Sequence, residues 1–166
     1  MKMVEIIETI NTWTARIAAV ILALMTLLIL VEIFLWNISN KSTIIADEYS
    51  AYGLAAIVFL GAGYCLNQRG HIRIALLLNL LPKKAERTVT FVVTVICTLF
   101  MGYLLIKLYE MTGAAFRYGS TSGTLSNTRL WIPQSLMLMG GFVFFLQLIA
   151  SSIRTFLGIR HGEDIF

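Results

Sequence analysis

Four apolar stretches of about 20 residues each, joined by short connectors, dictate what this chain of 166 residues can fold into. They run at about residues 17–36, 46–66, 89–109 and 131–153. At roughly 1.5 Å per helical residue, each stretch matches the ~30 Å hydrocarbon core of a bilayer. Within that core every backbone N–H and C=O needs an internal partner, and an α-helix supplies one for each. The expected fold class is therefore an all-α membrane protein, with residues 1–166 forming one membrane domain of four transmembrane helices. Composition agrees: 58% of residues are hydrophobic and 13% charged, against roughly half and a quarter in a soluble domain. The first apolar segment is longer than a signal-peptide core and has no small-x-small cleavage site after it, so it reads as an uncleaved span.

The connector from Asn67 to Arg87 sets the threading. It holds five of the thirteen Lys and Arg residues, namely Arg69, Arg73, Lys83, Lys84 and Arg87. Between its basic ends, residues 71–81 form an apolar run interrupted by Arg73 and Asn79 and closed by Pro82. That run reaches about half of a ~30 Å core, too short to cross, so a short amphipathic interfacial helix between helices 2 and 3 is expected, lying flat on membrane lipid. Cytoplasmic loops carry the excess of Lys and Arg. Placing this connector inside puts nine basic residues on that side and four on the other (Lys41, Lys107, Arg117 and Arg129). Both termini then face the cytoplasm, an N-in/C-in topology, with Trp13 at the inner interface and Trp36 and Trp131 at the outer one. The net charge of +4 is explained by orientation, since the basic residues flank spans and make no stripe interleaved with aromatics; nucleic acid is not an expected partner.

Few residues carry chemistry. Glu32 is the one carboxylate well inside a span, about one turn from the outer end of the first; such an acid reads either as a proton or cation site or as a partner for a basic group on a neighbouring helix. Asp47 and Glu48 open the second span, where the positive end of the helix dipole favours acids, and read as an interface anchor or partner contact. Along the second span Asp47, Ala51, Ala55, Val58 and Ala62 recur at helical spacing with Gly53, Gly61 and Gly63 nearby, and Thr90, Thr94, Thr98 and Gly102 form a row in the third. Such rows serve close helix packing or line a hydroxylated path. In the outer connector after the third span, helix is expected to persist for a turn past Tyr109 and then give way to loop, with Asn127 or Thr128 capping a fourth helix that has Pro133 in its first turn. His71 and His161 fall outside the spans, Cys65 and Cys97 inside them, and neither pair has metal or haem spacing. No phosphate loop, H-E-x-x-H, nucleophile elbow or paired-cysteine motif occurs, so no catalytic, metal or cofactor site is expected.

The motifs together resemble the small membrane subunit of tripartite ATP-independent periplasmic (TRAP) transporters. Asp47–Glu48 resemble the acidic opening of that family's second helix. Phe59-Leu60-Gly61-Ala62, followed by Arg69-Gly70-His71-Ile72-Arg73-Ile74 and closed by Leu81-Pro82, is similar to its most specific element. Ser126 to Pro133 with Gly140 resembles its entry to the fourth helix. Ile44 and Ile45 stand where relatives often carry a Trp, and Glu32 where many carry an Arg. The resemblance implies a multi-pass protein of a bacterial cell inner membrane with two protein partners, a large permease subunit and a periplasmic substrate-binding protein. The complex would take up an organic acid with sodium, this chain bracing the large subunit and holding no substrate or sodium site. Candidate partner-contact residues are then Glu32, Asp47, Glu48, Arg69, His71, Arg73, Arg117 and Arg129. The alternative is a self-contained four-helix exporter acting as a homodimer through Glu32.

Overall fold

The computed structural model describes residues 2–40, 42, 45–68, 82–124 and 126–161. Four helices account for almost all of them: α1 (Lys2–Ser39), α2 (Ile45–Asn67), α3 (Lys83–Tyr118) and α4 (Trp131–His161). Each is long and apolar enough to cross a membrane. The segment 71–81, expected to lie in the interface, falls outside the described residues, as do Arg69, His71 and Arg73.

The helices exceed the apolar runs that nucleate them. The residues ahead of the first apolar run join it in one helix of 38 residues, about 57 Å at 1.5 Å per residue, so α1 is far longer than the ~30 Å it must span. In α3 the expected loop after Tyr109 is corrected, because helix continues to Tyr118. Thr112 returns its hydroxyl to the Leu108 carbonyl at 2.8 Å, and Ala114 and Ala115 favour helix. The stop comes at Gly119, whose φ of 60° the missing Cβ permits. Its N–H donates to the Phe116 carbonyl at 3.4 Å and the Ser120 N–H to the Ala115 carbonyl at 3.0 Å, the two bonds of a Schellman ending. Pro133 does sit in the first turn of α4. Asn127 and Thr128, however, do not cap it: Asn127 adopts a φ of 47° within the preceding loop, and helix starts only at Trp131.

The helices stand in the order α1, α2, α4, α3, with a further contact between α1 and α4. Burial agrees: only 6% of the spanning window is buried in α1 and in α3, against 17% in α2 and 28% in α4, as two edge and two central helices require. Each edge helix meets its neighbour along one seam. In α1 the covered positions are Asn11, Thr14, Ala18, Ile21, Met25, Leu28, Glu32 and Leu35, alternating steps of three and four. In α3 they are Thr94, Thr98, Met101, Leu105, Leu108, Thr112 and Ala115, on the same rhythm. That spacing is a heptad repeat, which packs helices as shallow left-handed pairs. The small row of α2 lies on other residues than the sequence pattern picks out. Ala46, Ala56, Leu60 and Gly63 are buried, whereas Asp47, Ala51 and Val58 face outward.

The central pair, α2 and α4, makes the closest approach. A Cβ placed on Gly140 would fall 2.7 Å from the Leu60 amide nitrogen and 2.7 Å from the Phe59 carbonyl carbon. Both are backbone atoms that no rotamer change can move. Next to it, Gly141 leaves room for Leu105 and Met101 of α3. One Gly-Gly pair therefore seats α4 against both neighbours. Gly140→Ala should cost about 1–3 kcal/mol of stability, whereas Gly61→Ala, with nothing within 4 Å of the added methyl, should be neutral or stabilising. Denaturant unfolding of the two variants in the same detergent checks the contrast.

Candidate functional site

Three polar constellations are candidates for function: one joins helices, and two join a helix to a connector. The first lies at the end of the row that carries both termini. Asn11 of α1 and Gln147 of α4 are buried, 0% and 4% exposed, and the Asn11 amide donates to Gln147 Oε1 at 2.7 Å. Gln147 in turn donates to Asn67 Oδ1, at the end of α2, at 3.3 Å. Asn11 Oδ1 is buried without a hydrogen-bond donor among the described residues. It fills the space over Gly63, where an added Cβ would lie 2.1 Å from it. One turn away, the Arg154 guanidinium pairs with the Glu8 carboxylate. Three helices are thus joined by amides that sequence reasoning passed over. Gln147 did carry a signal, as the sole polar side chain between Ser135 and Ser151.

The second lies at the opposite end, where Glu48 in the first turn of α2 meets the loop between α3 and α4. Tyr52 donates to Glu48 Oε1 at 2.9 Å, and the hydroxyls of Thr124 and Ser126 both donate to Oε2. The loop closes on itself as a short ribbon. Thr121 pairs with Arg129, and the Ser122 and Leu130 N–H groups donate across to Thr128 and Ser120 at 2.8 and 3.0 Å. A second tie comes from Thr128, which donates to the Tyr49 hydroxyl at 3.3 Å.

The third is a half-open cleft of about 360 Å³ between α1 and α2, lined by Glu32, Ile33, Trp36, Ser42, Ala46 and Asp47. Glu32 lies on the α1 seam, two turns before the helix ends at Ser39, and accepts a hydrogen bond from Ser42 at 2.5 Å. Glu32 and Asp47 therefore share a cleft, while Glu48 turns to the loop. Arg117 and Arg129 are exposed near that loop, the former donating weakly to the Gly113 carbonyl at 3.4 Å. The threonine row of α3 folds inward on its own backbone, with Thr94 and Thr98 each donating to the carbonyl four residues back at 2.7 Å. Thr98 also meets Ser152 of α4 at 3.3 Å, which makes this row a packing seam. Among the described residues, no three of His, Cys, Asp and Glu come together as a metal site.

A row of four spans, fastened helix to helix at both ends and apolar on its outer faces, defines an integral membrane subunit. Residues 25–158 match the family described as the DctQ component of tripartite ATP-independent periplasmic transporters, and the chain belongs to that family. It is thus a small permease subunit of a TRAP transporter, a multi-pass protein of the bacterial inner membrane. It is 32% identical over 87 residues to the "Putative TRAP transporter small permease protein" of Haemophilus influenzae. That match covers 52% of this chain and 53% of the relative, about half of each. No solved structure matches.

The amide constellation makes a measurable claim. Asn11→Ala leaves the Gln147 amide buried with its main partner gone, and should cost about 1–2 kcal/mol. Adding Gln147→Ala should then cost less than it does alone. A double-mutant cycle followed by unfolding in detergent measures the coupling.

Proposed function

We propose that this chain is the stationary brace of its transporter. It would hold the large permease subunit in the bilayer while that subunit carries an organic acid inward with sodium, delivered by a periplasmic substrate-binding protein. One observation carries the reading: the Asn11–Gln147–Asn67 amides, the Arg154–Glu8 pair and the closest glycine contact fasten helix to helix, while α1 and α3 keep long apolar faces outward. A body of that kind adds width in the membrane and resists shear, which a moving neighbour needs. The interfacial segment at residues 71–81 would extend the same footprint, with Arg69, His71 and Arg73 at the headgroups. In this reading the connector and both termini face the cytoplasm, and the loops near Glu48 and Arg129 face the periplasm, where they help receive the binding protein.

Glu32 separates this reading from a self-contained exporter. A proton-coupled carboxylate belongs in a solvated cavity near mid-membrane. Glu32 instead takes a hydrogen bond from Ser42 on the α1 seam, which supports a fastening role. Purified with the large subunit and reconstituted, the complex with Glu32→Gln should keep uptake within about twofold of the native complex, because the glutamine side-chain oxygen still accepts from Ser42. Vesicles holding this chain alone should show no saturable uptake of tetraphenylphosphonium; flux that Glu32→Gln abolishes would overturn the brace. Orientation has its own test. In a cysteine-free background, Gly123→Cys should react with an impermeant maleimide on intact cells, and Gln68→Cys only after permeabilisation.

A further inference from the structure

We infer that Glu48 is a positioning residue: its carboxylate holds the α3–α4 loop in the shape that the binding protein meets, without itself touching that partner. This rests on the reading above in which the loop end receives the binding protein.

The loop from Gly119 to Leu130 has little of its own to hold it. Its ribbon pairs Thr121 with Arg129 and turns through Asn127, whose N–H donates to the Thr124 carbonyl at 3.1 Å. So short a two-stranded ribbon is not stable alone in water. What distinguishes it is a hydroxyl at every second position: Ser122, Thr124, Ser126 and Thr128. Their oxygens stand in a row, with Ser122 to Thr124 at 2.9 Å, Thr124 to Ser126 at 3.0 Å and Ser126 to Thr128 at 2.9 Å. Ser122 also accepts from the Thr128 N–H at 3.1 Å, which locks the row of hydroxyls to the backbone.

Each hydroxyl has one proton to donate, and Thr124 and Ser126 both spend theirs on one acceptor rather than on each other. Glu48 is that acceptor, with Oε2 taking Thr124 and Ser126 and Oε1 taking Tyr52. An ionised carboxylate accepts without donating, and hydrogen bonds to it are stronger than those between neutral groups. The carboxylate thereby fixes the loop to the first turn of α2. Without it, the longer Thr128–Tyr49 bond is left to hold the loop there. With the hydroxyl face turned in on Glu48, the exposed groups at this end of the chain include Arg117, Arg129, Gly123 and Asn127. The two cations suit an acidic patch on a soluble protein, and such pairings set register and encounter rate. The inference gives neighbouring acids different tasks: Glu48 shapes the loop, whereas exposed Asp47 lines the cleft beside Glu32.

The test uses the complex of this chain with its large subunit in lipid nanodiscs, titrated with the soluble binding protein, and hydrogen exchange read at residues 120–130. Co-purification with the large subunit confirms that each variant has folded. Glu48→Ala should accelerate amide exchange at Ser122, Thr128 and Leu130 and raise the Kd for the binding protein about tenfold. Thr124→Val with Ser126→Ala, which keeps the carboxylate and removes its donors, should do the same. If Glu48→Ala weakens docking while the hydroxyl variant docks normally, Glu48 is a direct contact and the inference falls. It falls too if both variants loosen the loop and docking is unchanged. Arg117→Glu with Arg129→Glu tests the underlying reading separately: it should weaken docking with exchange unaltered. Unchanged docking there would remove this end of the chain as a docking face, whatever Glu48 does.

Discussion

Lipid tails are as apolar as leucine, so burying leucine between two membrane helices gains little. What holds helices together there is close approach, and in this protein the approach is tightest where Gly140 lies on the Phe59–Leu60 backbone. The contact joins the second helix to the fourth and puts that pair in the middle. The first and third helices are left for the flanks, each with one covered seam. From that choice of neighbours follow the outward apolar faces of α1 and α3, which a membrane partner or lipid can cover.

Polar groups inside the bilayer are costly unless they find one another. Here they are gathered at the two ends of the row. Amides and an ion pair join α1, α2 and α4 near the termini, and a carboxylate gathers hydroxyls at the other end. Between them the helices pack through glycine, alanine and heptad-spaced side chains, with Thr94 and Thr98 returning their protons to their own helix backbone. Binding a row at both ends resists splaying and sliding without any large buried core, which suits the bracing role proposed above.

The spans were legible because twenty apolar residues in succession have few other uses, and the alternation of basic connectors yielded an orientation from counting alone. Packing was harder to read. In α2, residues such as Ala51 and Val58 fit a helical row as well as Ala56 and Leu60 do, and which row is buried depends on where α4 docks, which local pattern does not encode. The third helix outran its apolar stretch because Met111 to Tyr118 are tolerable in a helix, and the chain stops only where glycine allows a left-handed residue. Asn127 and Thr128 looked like caps because those side chains commonly serve so. The loop's own bonding, anchored on a carboxylate nearly eighty residues earlier, took precedence. Glu32 drew attention for its charge, yet the heptad seam that contains it was written in the sequence and describes its surroundings better.

The bond between Asn11 and Gln147 spans 136 positions of sequence. A chain made from its N-terminus delivers the asparagine to the membrane long before the glutamine exists. Through most of synthesis that amide has only solvent as a partner, and arrival of the last helix replaces the solvent with Gln147. A truncated or stalled product lacks this tie between its first and last helices, so the row closes at this end only when synthesis is complete.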